Sequence, residues 1–197
     1  MVEAAASLAD EEGLDGFTLA DLASRLGVRT PSLYNHVAGL GGLRRELALL
    51  GLREMGRRIG RAAMGKTTDE ATFAVARAYR DFVKERPGLY AATVRSSRLA
   101  YPDDPEFEAA ESEAFEAVLA VLASYGLRGE EALHAARGLR SVVHGFATLE
   151  VAGGFGIPLD LDESFERLLR AFVAGLRGKR GKRSSPPMMP GSQGTRA

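Results

Sequence analysis

The 197-residue chain has no cysteine and no tryptophan, and only three histidines. Without cysteine it can build neither a disulfide scaffold, nor a thiolate nucleophile, nor a Cys-ligated zinc or iron–sulfur site. No run of eighteen apolar residues occurs, so no membrane-spanning helix is expected. The opening Met1-Val2-Glu3-Ala4 lacks a basic leader region, which argues against secretion and for the cytoplasm. Net charge of one sign is also missing: 26 Lys+Arg balance 26 Asp+Glu. Such a balance ordinarily counts against a nucleic-acid partner.

The average conceals a strong alternation. Residues 1–17 carry −5, residues 18–61 carry +5, residues 62–177 carry −5 and residues 178–197 carry +5. A basic stretch of about forty residues beside an acidic body is an electrostatic footprint of the kind nucleic acid attracts. Solvated helix faces produce the same statistics, so the charge pattern alone decides nothing.

Helical spacing dominates the chain, and no stretch alternates with β-branched enrichment. The fold class expected is all-α, with about nine helices. The first spans 2–12 and the second 18–26, with Gly27 as a left-handed stop. The third spans 31–37, capped by Thr30 with Pro31 at its first position. An Arg-rich helix covers 41–62. Thr67-x-x-Glu70 reads as a capping box opening the next helix, which ends before Pro87. One or two helical turns are expected over 88–99. Asp104-Pro105 opens a helix with Phe107, Ala114, Phe115, Val118, Leu119 and Leu122 on one side. Helices over 130–152 and 163–177 complete the set. Residues 178–197, GKRGKRSSPPMMPGSQGTRA, show no hydrophobic period and read as a disordered basic tail.

Residues 17–37, FTLADLASRLGVRTPSLYNHV, carry the chemistry. Two short helices joined through Leu26-Gly27-Val28-Arg29 match a helix-turn-helix, with Leu19, Leu22, Val28 and Leu33 pinning the pair. Its second helix carries the residue types that a major-groove reader needs. Ser32, Asn35 and His36 offer short hydrogen-bonding groups to base edges. Arg29, Thr30 and Tyr34 sit where phosphates are met.

This segment resembles the TetR family of bacterial transcriptional repressors. The resemblance is carried by Gly16-Phe17-Thr18-Leu19, by Leu22-Ala23-x-x-Leu26-Gly27-Val28 and by Pro31-Ser32-Leu33-Tyr34-Asn35-His36-Val37. It implies a helix-turn-helix DNA-binding domain over 1–45 and a larger ligand-binding and dimerisation domain over 46–177. It implies further that Thr30, Ser32, Asn35 and His36 approach bases, that Tyr34 contacts a phosphate, and that Thr18 belongs to the same face. Where the family has a Lys at the start of the fourth helix this chain has Leu40, so Arg44 or Arg45 is the expected substitute. Family members have a basic arm before the first helix, which here begins at Met1. A native start before Met1 is therefore expected. Val143-His144-Gly145-Phe146 is similar to a TetR subgroup named for a Trp-His-Gly triplet, with Val143 in place of the Trp.

In the helix at 130–152, Leu139, Val142, Val143, Phe146 and Leu149 form one apolar side. His134, Gly138, Ser141, Gly145, Thr148 and Ala152 form a stripe of mostly small groups that lets a partner helix approach. With Phe165, Leu169 and Phe172 of the last helix, Gly138, Ser141, Gly145 and Thr148 are the expected homodimer interface, a four-helix arrangement. A sensing pocket for an unknown small molecule is expected between the central helices. Its candidates are Phe82, Tyr90 and Phe115, drawn from a wider set with Phe73, Tyr79 and Phe107; Arg95 or His144 would be polar anchors.

The resulting expectation is a ligand-responsive regulator, a repressor released from a palindromic DNA operator. Two other classes stay open. Glu131-x-x-His134 has the spacing of di-iron carboxylate bundles, but neither His36 nor His144 has the preceding Glu that a second pair needs. A helical adaptor is the other. No catalytic residue, metal ligand or cofactor is expected.

Overall fold

The computed structural model describes residues 1–96 and 101–181, and the side chains of these up to Arg177. Among the described residues there are nine helices and no strand: α1 Val2–Glu12, α2 Leu19–Leu26, α3 Thr30–Leu33, α4 Gly39–Ala63, α5 Thr68–Glu85, α6 Pro87–Arg95, α7 Pro105–Ala123, α8 Gly129–Val151 and α9 Leu161–Gly181. The expected all-α class and helix count hold.

Local chemistry sets most boundaries. Thr18 caps α2 in a full capping box: its hydroxyl donates to Asp21 Oδ2 at 2.6 Å and accepts from the Asp21 N–H at 3.3 Å, while its own N–H donates to the same carboxylate at 2.8 Å. Gly27 ends α2 at φ 66°, the left-handed conformation that glycine adopts without a Cβ clash. Asp104 caps α7 by accepting the Phe107 N–H at 3.1 Å.

Other boundaries differ from expectation. The regular helix of α3 is one turn, Thr30–Leu33, with Arg29 rather than Thr30 as its N-cap. Tighter turns continue it: the His36 and Val37 N–H groups both donate to the Leu33 carbonyl. The capping box expected at Thr67 does not form. Thr67 makes no side-chain cap bond, and the Ser124 hydroxyl takes the Thr68 N–H at 2.8 Å instead. This tertiary acceptor serves the first N–H of α5, a different donor from the Glu70 N–H that the local box would have taken. The turns expected over 88–99 are a nine-residue helix, α6. The last helix runs to Gly181, four residues beyond its expected end. The remainder of the expected basic tail lies outside the described residues.

α4 is the spine. Its 25 residues span about 37 Å at 1.5 Å per residue, and it packs against α1, α5, α6 and α7. The boundary expected at residue 45 falls inside this helix. One apolar cluster runs through both halves of the chain, from Ala5 and Leu8 of α1 through Leu22, Leu33, Leu43 and Leu47 to Phe82, Leu89, Phe107 and Phe165. Fully burying each such Leu or Phe contributes about 1.5–3 kcal/mol, so this continuous cluster is the main source of cohesion.

Two expectations about large apolar side chains need correction. Phe115 is 42% exposed on the outer side of α7, because the buried stripe of that helix follows Phe107, Ala110, Ala114 and Val121. A residue one step from Ala114 is turned by about 100° and leaves the stripe. Leu149, expected on the apolar side of α8, is 50% exposed.

Candidate nucleic-acid interface and apolar groove

In the α2–α3 unit, Leu22, Leu33 and Val37 are buried while Arg29, Ser32, Tyr34, Asn35 and His36 all face solvent. The apolar residues join the core cluster that runs on into α1 and α4, and the polar ones are displayed on the outer side. Tyr34, a large aromatic, is 60% exposed. Thr30 is half-buried at the start of α3. The segment therefore presents short hydrogen-bonding groups outward, with its apolar side chains packed behind.

Thr18 and Arg44 do not join that face freely. The Thr18 hydroxyl is committed to Asp21 at the head of α2. Arg44 donates from Nη2 to Asp15 Oδ1 at 2.7 Å, and its Nε is buried. The expectation that Arg44 or Arg45 replaces the missing lysine meets a charge competitor in each case: Arg45 is held by Asp104, Glu46 and Glu106. Leu40 packs against the core instead.

The basic block over 18–61 is thus largely neutralised within the fold. Arg25 pairs with Glu11, Arg53 with Glu106, and Arg58 with Glu54 and Glu85. Among the described residues Arg29 has no carboxylate partner, so it carries free positive charge beside the reading segment. The bond from Arg45 draws the Asp104 carboxyl down to about 2. Asp104 in turn caps α7, so Arg45 and Arg53 tie α4 to the head of α7 through Asp104 and Glu106.

A groove of about 260 Å³ opens between α5, α6 and α8. Its apolar wall comes from Val83, Pro87, Ala91, Val94, Val151 and Ala152, and its polar groups are Tyr90, Arg95, His144 and Thr148. Of the expected pocket residues, Tyr90, Arg95 and His144 come together here. Phe82 lies behind them, fully buried with its ring edge-on to Tyr90 at 6.2 Å. Phe115 belongs to another surface. Tyr79 Oη sits 2.8 Å from Tyr90 Oη, which sits 2.6 Å from His144 Nδ1. Burial, the largest cause, raises both tyrosine hydroxyls, Tyr90 well above its ordinary range, so both are neutral and able to donate.

α6 joins the groove to the reading unit. Asp10 of α1 caps it from outside: Oδ1 accepts the N–H groups of Gly88 at 2.9 Å and Leu89 at 3.0 Å, while Oδ2 accepts Arg86 Nε at 2.6 Å. A Cβ on Gly88 would stand 1.9 Å from the Ala9 carbonyl oxygen, so only glycine permits this approach. At the other end of α6, Arg95 pairs with Asp15 in the turn between α1 and α2. Sequence reading missed Asp10 and Asp15, since both lie in an acidic run with no motif around them. It missed Val83 and Val94 because their helical spacing equally describes core.

The expected dimer stripe divides. Phe165 and Leu169 are fully buried inside the subunit. Gly138 faces Phe172 of the same chain, whose Cε2 would lie 3.1 Å from an added Cβ. Thr148 donates to the His144 carbonyl at 2.6 Å and lines the groove. Ser141 is exposed, and an added Cβ at Gly145 would meet open space.

Among the described residues no helix is long and apolar enough to cross a membrane, and no group of three or more His, Cys, Asp or Glu is placed to hold a metal ion.

A helix-turn-helix unit continuous with an all-helical body defines a one-component DNA-binding regulator. Residues 1–37 match the model described as bacterial regulatory proteins, tetR family, and residues 72–172 match a tetracyclin repressor-like C-terminal domain. The chain is 39% identical over 176 residues to an uncharacterised HTH-type transcriptional regulator of Mycobacterium tuberculosis, covering 89% of this chain and 79% of that protein. It is 38% identical over 177 residues to another from Bacillus subtilis, covering 89% and 90%. The fold is shared with a TetR variant of Acinetobacter baumannii solved in complex with minocycline, at TM-score 0.68, 24% identity and coverage of 93% and 96%. It is shared too with the TetR-family regulator PfmR of Thermus thermophilus, at TM-score 0.66, 19% identity and coverage of 88% and 96%. The chain belongs to the TetR family of DNA-binding transcriptional regulators, a family of regulators and not of enzymes.

Proposed function

We propose that the protein is a cytoplasmic repressor that binds a palindromic operator as a homodimer and leaves it when a small molecule enters the α5–α6–α8 groove. The DNA-binding unit is residues 1–45; residues 46–177 carry the groove and the dimer contact. One observation carries the reading: the outward row Ser32, Tyr34, Asn35 and His36 stands on a segment pinned by buried Leu33 and Val37.

Thr30, Ser32, Asn35 and His36 approach base edges, and Tyr34 and Arg29 meet phosphates, which position the protein without reading sequence. Two such segments enter successive major grooves about one helical turn apart. Ser141 and Gly145, left open on α8, provide the close approach of the second copy.

Ligand response follows from α6. The helix that lines the groove is capped by Asp10 and paired to Asp15, so a ligand that displaces α6 also displaces the support of the reading segment. Ligand and DNA then disfavour each other reciprocally, and repression is lifted when the effector-bound state prevails.

Selection of bound fragments from a random duplex pool tests this. The expected product is an inverted repeat with half-site centres about 10 base pairs apart, or a small multiple of that. Selection yielding no enriched sequence, or a single half-site only, would contradict it.

A further inference from the structure

Among the described residues, Arg95 is the one arginine or lysine lining the groove, and no carboxylate lines it. The remainder of the wall is apolar, with Val83, Val94 and Val151 among its residues. At about 260 Å³ the space lies near the small end of the roughly 300–1,000 Å³ typical of ligand sites. His144 engages Tyr90 through Nδ1, which leaves its other ring nitrogen for a ligand. Charge and wall together favour an anionic head on a short apolar body.

Arg95 is also spoken for. Its Nη1 donates to Asp15 Oδ2, and Arg44 donates to the other oxygen of the same carboxylate. An exposed pair of this kind is weak, so an incoming carboxylate can exchange with it. The exchange would remove one of the two arginines holding the α1–α2 turn.

We propose that the effector is a small amphipathic carboxylate, and that it binds by taking Arg95 from Asp15. This rests on the reading of the groove as the effector site. The ligand carboxylate becomes the partner of Arg95, with His144 beside it, and the apolar chain lies along the valine wall. Asp15 is left with Arg44 alone. The Asp15–Arg95 pair is thereby a competitor built into the protein: it lowers anion affinity in the DNA-binding state and reports occupancy to the reading unit.

Calorimetric titration of the full chain with sodium octanoate, 1-octanol and octylammonium tests the class. Octanoate is expected to bind at least tenfold more tightly than octanol, and octylammonium not to bind. Arg95→Gln is expected to weaken octanoate about tenfold, the loss of a charge-assisted bond, and to leave octanol unchanged. Arg95→Lys restores most of the loss. Asp15→Asn removes the competitor and is expected to tighten octanoate about threefold; a merely structural role for Asp15 would not move affinity in that direction. Octanol binding as tightly as octanoate, or Asp15→Asn leaving octanoate affinity unchanged, overturns the proposal. A mobility shift with operator DNA separates it from the underlying reading. Octanoate that binds with this variant pattern yet leaves operator affinity unchanged sinks the effector role of the groove. Release by octanol as readily as by octanoate sinks the anion class alone.

Discussion

Asp10 on α1 accepts the backbone N–H of Gly88, at the N-terminus of α6, at 2.9 Å. The first N–H groups of a helix have no partner inside it, and Arg86, the N-cap of α6, makes no side-chain cap bond. A carboxylate from the DNA-binding unit thus serves as the cap of a helix in the other half of the chain. Asp10→Ala is expected to cost about 1–2 kcal/mol, the usual size of a lost cap. It is also expected to reduce the effect of any effector on operator affinity, since α6 is then less tightly joined to α1. Urea unfolding and effector-dependent mobility shifts read the two effects separately. Gly88→Ala sets a Cβ against backbone atoms of Ala9 and should cost more, about 2–3 kcal/mol.

Tyr34 and Asn35 are adjacent and exposed, yet their proposed roles differ in kind. Tyr34→Ala should weaken binding to all operator variants by a similar factor, because a phosphate contact carries no sequence information. Asn35→Ala should cost about 1–3 kcal/mol on the best operator and relax preference at particular positions. Binding measured across single-base operator variants decides this. A uniform loss for Asn35→Ala would contradict its base-reading role.

Acid should destabilise the fold through its arginine-bound carboxylates. The bond from Arg45 holds Asp104 at about 2 against an ordinary 3.8, and the bond from Arg80 holds Glu150 below its ordinary 4.5. A depressed carboxyl contributes its full stabilisation above its unfolded value and loses it as pH falls through the folded one. The melting temperature should therefore fall progressively from about pH 4.5 towards pH 2. Asp104→Asn should lower the plateau at neutral pH and flatten that acid limb. An acid limb as steep as in the unmutated protein would show that Asp104 does not contribute.

Ser141 and Gly145 leave a shallow opening on α8. Ser141→Arg should convert a dimer to a monomer in sedimentation velocity while leaving helix content unchanged. A dimer unaffected by this charge and bulk would place the interface elsewhere.

The sequence made the α2–α3 unit legible because its signals are local. Thr18 meets Asp21 three residues on, and Gly27 supplies its own left-handed turn. The exposed Ser32, Asn35 and His36 follow from the same stretch. The groove was half legible. Tyr90, Arg95 and His144 were singled out and do converge, but Phe115 and Phe82 were indistinguishable from them by spacing, which fixes a face without naming what covers it. Spacing likewise could not foresee that Gly138 lies against Phe172 of its own chain. The basic block picked out by the charge arithmetic contains the helix-turn-helix, yet Arg25, Arg44, Arg45, Arg53 and Arg58 are all paired within the fold. Those partners lie up to 61 residues away in the chain, and no composition window brings them together. Asp10 and Asp15 were invisible because their roles are set wholly by tertiary contact.

The most direct test of the regulator assignment is an electrophoretic mobility shift with the DNA upstream of the protein's own gene and its neighbours, at moderate salt. The protein should give a discrete complex that survives excess non-specific duplex, and Asn35→Ala with His36→Ala should abolish that preference while leaving the fold intact. No shift with any of these promoters, or a shift unaffected by the double substitution, would contradict the account.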